Sequence, residues 1–67
     1  MAVTGELATG LANAVILLPR TFREVYRLSD LEGLTCPEIA DRLGLGVGAV
    51  KSRLHRARAL VRVALAA

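Results

Sequence analysis

Cysteine occurs once in these 67 residues, proline twice, phenylalanine and tyrosine once each, and tryptophan not at all. The lone Cys36 excludes an intrachain disulfide and any zinc site built on several thiolates. The single histidine, His55, lies nineteen positions further on, outside metal-ligand spacing. Such a chain reads as reduced and cytoplasmic. Long apolar runs are also missing. The longest uncharged stretch, Leu7 to Pro19, contains Thr9, Gly10 and Asn13 and is too short and too polar to span a bilayer, so no membrane partner is expected. The opening residues, Met1 to Glu6, carry no positive charge, which argues against a secretory leader. Paired carboxylates, a nucleophile beside a base and a phosphate-cradling loop are all lacking, so the sequence does not read as an enzyme and implies no cofactor or metal.

What is present is enough apolar material for one small core: 54% of the residues are hydrophobic and 22% are charged. A domain of this size buries only roughly 60% of the surface its unfolded chain exposes, so its stability is modest. The net charge of +3 hides an asymmetry. Residues 1–50 hold four basic residues against all six acidic ones, whereas residues 51–67 hold Lys51, Arg53, Arg56, Arg58 and Arg62 and no acid. A block of one sign is what a polyanion-binding surface requires, although a solvated helical face has the same composition.

Periodicity predicts an all-α domain of four helices, at about 5–17, 19–31, 35–43 and 47–65. In the first, Leu7, Leu11, Ala14, Val15 and Leu18 recur at steps of three and four. Leu18-Pro19 breaks it, and proline suits the first turn of the next helix. There Phe22, Val25, Tyr26 and Ser29 form the inner face, with Leu18, Leu28 and Leu31 at its margins, and Arg23 and Arg27 are expected to pair with acids. Thr35 and Glu38 have the spacing of a capping box for a short third helix bearing Ile39, Ala40 and Leu43, which Gly44 ends. In the fourth, Val47, Val50, Leu54, Ala57, Val61 and Ala64 form the buried stripe. Gly48, Lys51, Ser52, His55, Ala59 and Arg62 point away from it with Arg56 nearby, and Arg53 and Arg58 flank the stripe from opposite sides.

A capped short helix, a glycine turn and a longer basic helix make a helix-turn-helix over residues 35–58, in which the second helix enters the DNA major groove. Ala40, Gly44 and Val50 supply the small residue at the helix crossing, the turn and the docking side chain. Lys51, Ser52, Arg53, His55, Arg56 and Arg58 are the candidate DNA-binding residues. The N-terminus of the third helix, near Thr35 and Cys36, is a further candidate for a phosphate.

The run Leu18-Pro19, Arg23-Glu24-Val25, Leu31-Glu32-Gly33-Leu34-Thr35, Glu38-Ile39-Ala40, Leu43-Gly44 and Val47 through Arg58 resembles the C-terminal, promoter-binding domain of bacterial sigma factors, particularly the extracytoplasmic-function group. The resemblance covers residues 18–58. It implies that the chain is one DNA-binding domain of a longer alternative sigma factor, that it recognises the −35 promoter element in duplex DNA, and that it contacts the β flap of the RNA polymerase core. It carries the DNA-contacting roles over to Lys51, Ser52, His55 and Arg56. Gly46 and Ala49 depart from the serine and threonine common there. Two other readings stand beside it: the helix-turn-helix output domain of a response regulator, and an interaction module whose apolar tail, Val61 to Ala67, docks on an anti-sigma factor or polymerase.

Overall fold

The computed structural model describes residues 10–66. Within them the chain is helical, in four elements, as the periodicity predicts. Helix α1 occupies residues 10–16 of the described span; its predicted start at about 5, and Leu7, lie outside it. Helix α2 covers Arg20–Tyr26 and continues into a π-helical turn, Arg27–Leu31. Helix α3 spans Cys36–Leu43 and α4 spans Val47–Ala66.

Each boundary has a local cause. Pro19 sits just outside α2 with extended backbone, and its carbonyl accepts the first helical bond from Arg23 N–H at 2.8 Å. The predicted capping box forms in full: Glu38 N–H donates to Thr35 Oγ1 at 3.3 Å, and Thr35 N–H donates to Glu38 Oε1 at 2.9 Å. Gly44 adopts φ +67°, a left-handed conformation that costs a residue with a Cβ, and the N–H of Leu45 closes back onto the Ala40 carbonyl at 2.9 Å.

Among the described residues twelve apolar side chains are buried, in two clusters. One joins α1 to the far half of α4 through Ala14, Val15, Leu18, Tyr26, Ala57 and Val61. The other joins α2, α3 and the near half of α4 through Val25, Leu28, Ile39, Ala40, Val50 and Leu54. Helix α4 therefore runs through both. Its predicted stripe is right in the middle and overextended at the ends: Val50, Leu54, Ala57 and Val61 are buried, while Val47 and Ala64 are exposed.

The second helix departs from the expected register. Leu28, predicted at its margin, is only 3% exposed, and Ser29, predicted inside, is half-buried. The helix ends there in a π turn, where Glu32 N–H donates to the Arg27 carbonyl, five residues back, at 2.9 Å. Burying a leucine side chain contributes about 2 kcal/mol, whereas a buried serine hydroxyl must first find a partner, so the core takes Leu28 and leaves Ser29 at its edge. Among the described residues no buried side-chain nitrogen or oxygen lacks a hydrogen-bond partner.

Candidate nucleic-acid interface

The two helices of the helix-turn-helix meet where the sequence puts a small residue against a branched one. Ala40 of α3 and Val50 and Leu54 of α4 share one cluster with Ile39, which is fully buried. That docking fixes which side of α4 faces water. Lys51, Ser52, His55 and Arg56 are all exposed on it, and Arg53 is half-buried at its edge. From Lys51 to Arg56 the helix rises about 7.5 Å, so the four exposed side chains fit together within a major groove about 12 Å wide. Among the described residues none of Lys51, Ser52, Arg53, His55, Arg56 and Arg62 has a side-chain hydrogen bond or ion pair. Their charge is therefore uncompensated by the fold.

Arg58 is different. Its Nε and Nη2 donate to the two carboxylate oxygens of Asp30 at 3.0 and 2.6 Å, and Nη2 lies 3.5 Å from Ser29 Oγ. The Arg58 hydrogen bonds hold the Asp30 carboxyl below its ordinary value, and Asp30 in turn raises the guanidinium pKa. Tyr26, at the same junction, has its phenol raised by burial and by the Asp30 charge. Five basic residues follow position 50; one is held by an acid of the chain, and the other four have no acid partner among the described residues. Sequence alone groups Arg58 with the others, because its partner lies 28 positions away and the π turn that presents it has no local signature.

Two further expectations meet the geometry. Arg27 pairs with an acid, Glu32, at 2.7 Å. Arg23 does not: its guanidinium donates to the Ile16 carbonyl at 3.3 Å, satisfying an acceptor at the end of α1, and Glu24 pairs with Arg20 instead. At the N-terminus of α3 the capping box already occupies the Thr35 and Glu38 N–H groups, and Pro37 has none, so of the first few donors only that of Cys36 is left for an anion. The Thr35 backbone N–H is also what holds the Glu38 carboxyl below its ordinary value.

A shallow apolar groove of about 390 Å³ lies between α1 and the π turn, lined by Leu11, Ala12, Val15, Ile16 and Leu31. Its rim residues Ile16 and Leu31 are exposed, as are Leu17, Leu60, Val63 and Leu65. No described helix is long and apolar enough to cross a membrane.

Comparison with known proteins accords with this geometry. Residues 10–61 match the family model described as Sigma-70, region 4. The chain is 43% identical over 61 residues to the ECF RNA polymerase sigma factor SigE of Mycolicibacterium smegmatis, covering 91% of this chain and 24% of that protein. It is 35% identical over 60 residues to the ECF RNA polymerase sigma factor SigW of Bacillus subtilis, covering 90% of this chain and 32% of that one. To the RNA polymerase sigma factor SigZ of the same organism it is 33% identical over 55 residues, 82% of this chain and 31% of the other. The chain thus spans about a quarter to a third of the length of the curated relatives it matches. No solved structure matches it. The family model takes in all of the helix-turn-helix, both core clusters and the basic ridge of α4, and on that correspondence the chain belongs to the sigma-70 region 4 family.

Proposed function

We propose that this chain is the promoter-reading part of a longer alternative sigma factor, binding the −35 element of duplex DNA with the exposed ridge of α4 and directing transcription initiation by RNA polymerase. The observation that carries the reading is the ridge itself: Lys51, Ser52, His55 and Arg56 stand together in solvent, within groove reach of one another, with no acid to neutralise them among the described residues. Lys51, Arg53 and Arg56 release counterions from phosphates, which supplies affinity without sequence preference. Selectivity falls to the groove floor, where Arg56 or Lys51 donates to guanine O6 and N7 and where Ser52 and His55 donate or accept. The names of the relatives, all RNA polymerase sigma factors, favour this over a response-regulator output domain acting as a dimer.

The apolar groove between α1 and the π turn supports a second contact, with the β flap of RNA polymerase core, and an anti-sigma factor would compete for the same kind of surface. The reaction performed on the promoter belongs to polymerase; the chain contributes recognition and recruitment.

The test is a selection from a random duplex library by the factor together with polymerase core, followed by direct binding measurements. Enrichment of one short motif, and a loss on the order of 1–3 kcal/mol on Arg56→Ala, are the expected outcomes. A flat selection with undiminished binding by the Arg56 variant overturns the reading.

A further inference from the structure

We propose that Asp30 is a positioning residue for the DNA-reading helix: from the π turn it grips Arg58 and withdraws one cation from the row that α4 offers to a polyanion. The inference rests on the DNA reading above and adds to it a control on how many phosphates the helix engages.

At 100° per residue, Lys51, His55, Arg58 and Arg62 fall within about 60° of one another and form a single row roughly 16 Å long. Arg58 stands inside that row. Its neighbours have no acid partner among the described residues, whereas Arg58 meets Asp30 through both carboxylate oxygens and approaches Ser29 Oγ. Paired hydrogen bonds between guanidinium and carboxylate are stronger and more directional than a single contact of the two charges. Half-exposed ion pairs of this kind contribute little to folding, so stability alone does not decide the matter. Competition does. A phosphate that captured Arg58 would have to displace two charge-assisted hydrogen bonds and leave the Asp30 carboxylate unpaired beside the negative backbone. The π turn supplies the partner: it contains Ser29 and Asp30, both of which meet Arg58 of α4.

The experiment is a salt titration of the binding of the whole chain to a random-sequence 20-base-pair duplex, with folding of each variant checked by circular dichroism. Asp30→Asn frees Arg58. The slope of log affinity against log salt then steepens by about 0.9, and the affinity lost between 50 and 200 mM salt grows about 3.5-fold. Arg58→Gln leaves the slope at its wild-type value, and in that background Asp30→Asn no longer steepens it; a general effect of removing one negative charge would persist there. Should Asp30→Asn fail to fold, the Arg58→Gln arm decides alone. An unchanged slope in a folded Asp30→Asn, or a flattening by about 0.9 in Arg58→Gln, overturns the inference and leaves the DNA reading standing. A wild-type chain with no salt-dependent duplex binding overturns both.

Discussion

The two halves of the core are finished to different degrees. Around the helix-turn-helix, Val25, Ile39 and Val50 are sealed completely from water, and the polar surface above them is an uncompensated basic ridge. In the half built on α1 and the far end of α4, every buried side chain except Ala57 keeps a few per cent of exposure, and Ile16, Leu17, Leu60 and Val63 lie in the open beside them. One half is closed upon itself and presents charge; the other presents apolar surface. Under the proposed function the difference has a use: the self-sufficient half would carry the reading of a polyanion, and the unfinished half would be the one left for contact with other protein.

The sharpest way to break that contrast is to truncate one side chain in each half. Ile39→Ala in the closed half is expected to cost toward the upper part of the 2–5 kcal/mol range usual for such deletions, about 4 kcal/mol, because a sealed site relaxes least. Leu18→Ala in the open half should fall at the lower end, about 2 kcal/mol. Denaturant unfolding measures both, and equal losses would dissolve the distinction. Next in size, Gly44→Val forces a branched residue into the left-handed turn between α3 and α4 and should destabilise by about 1–2 kcal/mol. The same change at Gly46, whose φ is not positive, should be far milder.

The cap of α3 gives a smaller and pH-dependent effect. Thr35→Ala removes the hydroxyl that receives Glu38 N–H and should cost about 1 kcal/mol. Both Glu38 and Asp30 are held below their ordinary values in the folded chain. Their stabilisation is therefore complete above the unfolded carboxyl values, about 4, and is lost as the pH falls through the lower folded values. Thermal melts should decline on acidification through that window, with a shallower decline for Glu38→Gln and for Asp30→Asn. The smallest expected change is a gain. A Cβ at Gly46 meets nothing within 4 Å, and Gly46→Ser adds a capping oxygen to α4, raising stability by a few tenths of a kcal/mol (about 0.3) in the closed half alone.

What was legible in the sequence was whatever is decided within one or two turns. The Thr35 and Glu38 cap, the Gly44 stop and the middle of the α4 stripe depend on neighbours three or four positions away and stand where the pattern placed them; Pro19 caps α2 from just outside instead of opening its first turn. The exposed set Lys51, Ser52, His55 and Arg56 followed from the same wheel. The π turn was not legible. Its defining bond, from Glu32 N–H to the Arg27 carbonyl, replaces an ordinary four-residue bond without any proline or glycine inside the turn to mark it. The Arg58 partner was hidden for the same reason, since it depends on how that turn sits against α4. Val47 and Ala64 show the converse error: periodicity continues past the positions that the fold buries.

Helix α4 is a single unbroken element of 20 residues, about 30 Å from end to end, and the clusters it threads act as its bearings. A shaft seated at two separate points resists tilting, so the side chains next to Val50 inherit their direction from the same packing that holds Val61.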